Sequence, residues 1–244
     1  MGQSVEKNTE ENVPKQKKKK IIQRTLLVVT CLSLAFVLAF VVYVNDYYKA
    51  EEIALAVLAN GEIEVADNLL ILPGESELGI IFYPGAKVKE VAYLPLLSKL
   101  QAEGFTCVLV GMPFHLAFFN VNGAEDVFDL DLPVEKWYVA GHSLGGGMAS
   151  SYASSNPDKV AGLILLGAYV YGDYPPSKAL TIYGSYNDNL EENIDYTENI
   201  VVIQGGNHAQ FGNYGKQEGD PDGDITAEEQ QNIAVSVIVD WIFS

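Results

Sequence analysis

Thr25 to Val44 reads TLLVVTCLSLAFVLAFVVYV, twenty residues without a charge. Twenty apolar residues in a helix reach about 30 Å, the thickness of a bilayer's hydrocarbon core. A core helix of a soluble domain keeps one polar face, and this run has none. The chain therefore divides into a tail over 1–24, a transmembrane helix over 25–44 and a separate domain over 50–244. The tail carries seven of the fifteen Lys and Arg residues, with Lys17–Lys20 and Arg24 next to the apolar run. Asn45, Asp46, Glu51 and Glu52 follow its other end. The positive-inside rule then puts the N-terminus in the cytoplasm and the domain outside, in a single-pass cell-membrane topology. Tyr43, Tyr47 and Tyr48 suit an interfacial belt. A cleaved signal peptide has a shorter apolar stretch and a small-residue cleavage site, and Ala35 and Ala39 make a poor one. The polar tail up to residue 20 cannot build a core and is expected to be disordered.

The formal net charge is −17. Residues beyond 24 hold eight basic and 29 acidic residues, a balance of −21. So acidic a domain has no basic stripe for a polyanion, which excludes nucleic acid as a partner. Cys31 lies in the apolar run and Cys107 in an expected buried strand; both read as small hydrophobes, without disulfide or metal spacing.

Past residue 50, apolar runs alternate with helical periodicity. Strands are expected at Glu62–Ala66 and Leu69–Leu72 as a hairpin, then at Leu78–Tyr83, Thr106–Gly111, Trp137–Ala140, Val160–Leu166, Ala179–Tyr183 and Ile200–Ile203. Helices are expected over Val88–Glu103, Gly123–Leu130, Ser143–Ser155 and from Thr226 to about Phe243. Thr226 and Glu229 there have capping-box spacing. The alternation predicts an α/β domain: an open, mostly parallel twisted sheet with helices on both faces, its ligands bound beyond the carboxyl ends of the strands.

The strongest local signal falls at such an end. Gly141-His142-Ser143-Leu144-Gly145 is a Gly-x-Ser-x-Gly pattern between a strand and a helix, the context that a nucleophile on a sharp turn requires. A serine hydroxyl needs a base. Three histidines are present, His115, His142 and His208. His142 lies inside the turn, where its ring points away from Ser143, so a packing or hydrogen-bonding role fits it. His115 precedes Ser143 and could line a pocket. His208 follows the last strand in GGNHAQFG, the position of the base in the order Ser, acid, His. The orienting acid is expected in the turn after Ala179–Tyr183, where Asp188 is favoured over Glu191 and Asp195. An oxyanion hole needs two backbone N–H groups: Leu144, next to the nucleophile, and Ala86 in the loop after Leu78–Tyr83, with Lys87 as the alternative.

The segments GHSLGG, FYPGA, GSYND and IQGGNHAQFGNYG, in this order, resemble the α/β-hydrolase superfamily and, within it, a small dienelactone-hydrolase-like branch found as membrane-anchored bacterial proteins. The likeness covers roughly residues 50–244. It implies Ser143, Asp188 and His208 as a catalytic triad. Many relatives carry His-Gly where this chain has Pro84-Gly85. The short connection from Leu166 to Ala179 leaves no room for a large lid domain.

Phe114, His115 and Phe118 in the aromatic loop MPFHLAFFN are candidates to wall an acyl pocket. Asp220, Asp222 and Asp224 in GDPDGD have the opening spacing of a calcium loop, but Ile225 and Gln231 occupy the positions where such a loop needs Gly and Glu, so no metal is expected. No dinucleotide fingerprint or phosphate loop is present, and no cofactor is expected. The residues imply a serine hydrolase acting on an ester or related acyl substrate, most simply a carboxylesterase. An acyltransferase would use the same covalent intermediate, and a non-catalytic surface-binding module would use the fold alone.

Overall fold

The computed structural model describes residues 12–187 and 190–244 and divides the chain into two units, residues 1–46 and 47–244. The first contains helix α1, Asn12–Asn45. Among the described residues, its stretch Lys17–Asn45 is the one helix long and apolar enough to cross a membrane, its most apolar 18 residues having a mean hydropathy of 2.8. A membrane anchor and a signal sequence share this form. The helix reaches into the polar tail, so residues 12–20 are helical where disorder was expected. Lysine is a good helix former, and extending a helix is far cheaper than nucleating one.

The second unit begins at Tyr47 and opens with a short helix α2, Glu52–Asn60, that the periodicity did not disclose. Eight strands follow: β1 Glu64–Ala66, β2 Leu69–Leu72, β3 Leu78–Tyr83, β4 Thr106–Val110, β5 Lys136–His142, β6 Gly162–Leu166, β7 Ala179–Gly184 and β8 Ile200–Ile203. They form one sheet in the order β1-β2-β4-β3-β5-β6-β7-β8. β1 and β2 pair antiparallel, as do β2 and β4, and every other pair is parallel. Parallel neighbours need crossovers, and helices α3 Leu94–Ala102, α4 Glu125–Phe128, α5 Leu144–Ser155 and α6 Ala227–Phe243 supply them or cover the faces.

The pleat splits the core in two. Ile80 and Phe82 of β3 pack with Leu94, Leu97 and Ile238 of α3 and α6. Ile81 and Tyr83 pack with Ala149, Tyr152 and Ala153 of α5 on the other face. With both faces covered, the central strands read as unbroken apolar runs. The expected capping box is present: the Thr226 side chain accepts from Glu229 N–H, and Glu229 Oε2 accepts from Thr226 N–H. Val88–Glu103 divides into a 3₁₀ turn, Glu90–Tyr93, and α3, because Pro95 at the start of α3 breaks the continuity. Tyr48 pairs with Val88 beside that turn, and Tyr47 stacks on His115 with ring centroids 4.0 Å apart. These two tyrosines pack within the domain instead of forming the expected belt.

Candidate active site

Ser143 stands between the last residue of β5 and the first of α5 at φ 53°, ψ −124°. That is a strained backbone for a residue with a side chain. Its N–H donates to the Leu166 carbonyl of β6 at 3.0 Å, and its own carbonyl accepts from Gly147 N–H at 3.1 Å. The turn works only because its neighbours lack side chains. A Cβ on Gly141 would strike the Gly145 backbone, and one on Gly145 would strike the Tyr83 and Pro84 carbonyls. The strands β3 and β5 and the start of α5 thereby close to backbone contact beneath Ser143.

Ser143 lies where two cavities meet. One, of about 430 Å³, is lined also by Leu144, Met148, Tyr169, Leu190 and His208. The other, of about 310 Å³, includes Gly85, Ala86, His142 and Tyr48. Ser143 thus shares one cavity with Leu144 and His208 and the other with Ala86, residues from elements far apart in sequence. Leu144 N–H is the first of its helix and has no preceding turn to bond. In the β3 loop, Gly85 N–H donates to the Tyr93 hydroxyl at 3.1 Å and Lys87 N–H to the His115 carbonyl at 2.8 Å. Lys87 N–H is therefore committed elsewhere, and Ala86, between these two residues, lines the same cavity as Ser143.

His208 is held by its backbone. Its N–H donates to Asp220 Oδ1 at 3.1 Å and the next N–H, of Ala209, to Oδ2 of the same carboxylate at 2.8 Å. Asn207, just before it, is bracketed by the buried Gln230 of α6: Oε1 accepts from Asn207 N–H at 3.0 Å and Nε2 donates to its carbonyl at 2.9 Å. Gly206 gives close approach, not mobility, since a Cβ there would meet Gln230 Oε1 at 2.5 Å. On the ring, Nδ1 lies 3.0 Å from Asn187 Nδ2, and the Gly167 backbone comes so near that a Cβ on it would sit 2.9 Å from Nδ1. Burial lowers the His208 pKa below its usual value, and the Asp220 charge opposes that shift.

Asp188 lies outside the described residues. Its rivals Glu191 and Asp195 are exposed. His142 takes the hydrogen-bonding role expected of it, with Nδ1 2.8 Å from Tyr93 Oη and Nε2 2.9 Å from the His208 carbonyl. The aromatic loop is placed elsewhere. Phe114 and Phe118 are about half exposed and do not line the Ser143 cavities. His115 lines a separate groove of about 970 Å³ together with Tyr47, Lys49, Leu58 and Met112. That groove is the larger, yet it holds neither Ser143 nor His208. The reason is backbone: Phe114 and His115 both have positive φ, 57° and 56°, which turns the loop away and aims the His115 carbonyl at Lys87.

The aspartates of GDPDGD have separate partners: Asp220 holds the His208 turn, Asp222 pairs with Lys216 at 2.8 Å, and Asp224 accepts from the Tyr186 hydroxyl at 2.6 Å. Among the described residues no group of three His, Cys, Asp or Glu side chains is placed to hold a metal ion. Gln230 and Asn187 were not among the residues singled out from the sequence, and Asp220 was singled out only for its cation spacing, not for its bonds to the His208 turn. Only the adjacency of Asn187 to the expected acid turn could have pointed to one of them.

A profile of the alpha/beta hydrolase family matches residues 79–232, from β3 into α6. The chain belongs to the alpha/beta hydrolase family. A candidate non-heme haloperoxidase of Mycobacterium phage D29 is 29% identical, over 43% of this chain and 42% of the relative. The chain thus spans about two fifths of that relative's length. Among solved structures, the Est1E protein of Butyrivibrio proteoclasticus aligns with a TM-score of 0.50 at 17% identity, covering 75% of this chain and 98% of that one. A dienelactone hydrolase from Anabaena variabilis aligns at 0.49 and 18% identity, covering 72% and 90%. These structural likenesses concern the fold. In the alpha/beta hydrolase fold the loops at the carboxyl ends of the strands carry the chemistry, and here Ser143 and His208 occupy them.

Proposed function

We propose that the domain is a serine hydrolase acting on an ester or related acyl substrate, a carboxylesterase in its simplest form. The observation that supports this most is Ser143, in strained backbone at the β5–α5 turn, sharing a cavity with His208. In this reading Ser143 Oγ attacks the substrate carbonyl carbon while His208 Nε2 takes its proton. The N–H groups of Leu144 and Ala86 donate to the oxyanion. Collapse expels the alcohol, which leaves with the proton from His208. Water, deprotonated by the same ring, then attacks the acyl-serine and frees the acid and Ser143.

For Nε2 to act as a base, Nδ1 must carry a proton and donate it. Asp188 is the proposed acceptor; Asn187 could serve only with its amide oxygen turned toward Nδ1. Asp188→Asn is expected to lower kcat by about 10³–10⁴-fold, and Asn187→Ala by much less. Single-turnover kinetics of the two variants decide between them, and the reverse ranking would give the role to the amide.

Because burial lowers the His208 pKa, the neutral base persists to a pH below the ordinary histidine value of 6.5. The kcat/KM profile is expected to rise with pH and reach half its plateau below 6.5. Asp220→Asn removes the charge that opposes the shift and moves this midpoint lower still. A midpoint that rises in the variant contradicts the assignment of His208 as base.

We also propose that α1 is an uncleaved anchor with the basic tail cytoplasmic and the domain outside, acting on small-molecule or envelope acyl substrates. The Lys17–Lys20 cluster supports that orientation. The deciding experiment uses the full chain in detergent, with p-nitrophenyl esters from acetate to laurate and a fluorophosphonate read by intact mass. One adduct with turnover supports the esterase. An adduct without turnover points to an acyltransferase, and no adduct on a folded chain overturns the reading.

A further inference from the structure

The His142 ring is fully buried and bonded at one nitrogen to Tyr93, at the end of the 3₁₀ turn before α3, and at the other to the backbone of His208. The direction of each bond can be derived. Gly85 N–H can only donate, so the Tyr93 oxygen accepts from it at 3.1 Å. The Tyr93 hydroxyl hydrogen is then directed to the other neighbour, His142 Nδ1, at 2.8 Å. With Nδ1 accepting, the imidazole proton is on Nε2, where it meets the His208 carbonyl at 2.9 Å. The chain Gly85 N–H, Tyr93 O–H, His142 N–H, His208 C=O runs in one direction with every donor and acceptor used.

Its two ends are the parts that must be spaced correctly around Ser143. Gly85 precedes Ala86 in the loop of the oxyanion donor, and His208 is the base. The relay passes through the residue next to the nucleophile. Tyr93 is fully buried, and a Cβ on Gly85 would lie 2.8 Å from both Tyr93 Oη and His142 Nδ1, so only glycine admits the contact. Burial, followed by the His208 charge, holds the His142 pKa well below the ordinary value. The ring therefore stays neutral, and the direction of the relay is kept while His208 gains and loses its proton.

We propose that Tyr93 and His142 are positioning residues that fix the distance between the oxyanion loop and the base across the nucleophile turn. The inference rests on the serine-hydrolase reading above. A misplacement of about 1 Å at reacting groups can cost about 10²-fold in rate. Tyr93→Phe, which keeps the ring, and His142→Leu are each expected to lower kcat by about 10²-fold, with KM little changed. His142→Gln offers an amide oxygen to Tyr93 and an N–H toward His208, and is expected to recover at least about tenfold of the loss. The double variant is expected to lose no more than the worse single one, because either change opens the same chain.

The measurement compares kcat, KM and fluorophosphonate labelling rates of these full-length variants with those of Leu97→Ala, a buried substitution on α3 outside the relay. Equal thermal destabilisation with kcat preserved only in Leu97→Ala supports the proposal. Wild-type kcat in folded Tyr93→Phe, or a loss that merely follows stability as in Leu97→Ala, overturns it. A wild-type chain that takes no fluorophosphonate overturns the serine-hydrolase reading instead, and the relay loses its catalytic meaning with it.

Discussion

Ser143→Ala is expected to lower ester turnover by about 10⁴–10⁶-fold and to abolish the fluorophosphonate adduct. The change removes one oxygen at a position whose backbone is already strained, and alanine is no better suited to φ 53° than serine. Folding should therefore be little affected, and a thermal melt of the variant should overlay the parent. His208→Ala should give a comparable loss. The double variant should be no worse than either, because a nucleophile without its base and a base without its nucleophile fail at the same step. Burst kinetics with a p-nitrophenyl ester would check this directly. If Ser143→Ala retains a burst, the covalent intermediate lies on another residue and the proposal fails.

The second large effect lies in a residue with no chemistry of its own. Gly145→Ala places a methyl group against the Tyr83 and Pro84 carbonyls, which are backbone atoms and cannot swing aside. Either α5 or the β3 loop has to move. Overpacking of this kind costs about 1–3 kcal/mol and sometimes more, which for a domain of this size lowers Tm by several degrees. The same shift moves the loop carrying Ala86, the proposed oxyanion donor, and losing one such donor costs about 10²–10³-fold in turnover. Gly147→Ala, two residues on, is the control. Its added Cβ meets nothing within 4 Å, and alanine stabilises a helix interior over glycine by about 0.5–1 kcal/mol. Opposite shifts in Tm for the two variants, followed by calorimetry or dye binding, are the expected result. Equal tolerance at both positions would show that the close approach at Gly145 is not needed.

Local and long-range features of this chain differ in how far the sequence reveals them. The strands Leu78–Tyr83 and Ile200–Ile203 have the bounds their apolar runs announce, and the Thr226–Glu229 capping box opens α6 as its spacing implies. These features depend on residues a few positions apart, where side-chain chemistry and backbone preference act together. The turn at Ser143 is equally local: two glycines at fixed spacing, between a strand and a helix, leave room for little else. The placement of His208 beyond the final strand was legible for the same reason, given the order in which this fold presents its residues.

What surrounds those residues was not legible. Nothing near Gln230 in sequence indicates that its amide brackets Asn207, and nothing near Asp220 shows that its carboxylate holds the His208 turn. The aromatic loop looked like a pocket wall, yet two consecutive positive-φ residues send it to another groove and use a backbone carbonyl to pin Lys87. Tyr47 and Tyr48, read as an interfacial pair, are drawn into the domain by His115 and Val88. The sequence by itself determined the alternation of strands and helices, the sharp turn at Ser143 and the apolar helix, because each is written in short-range periodicity and in the steric needs of single residues. Only the tertiary structure decided which loops meet around Ser143 and which polar groups hold them there. Those partners lie between 8 and 66 residues apart, and a hydrogen bond between the distant ones forms only after the sheet has brought its strand ends together.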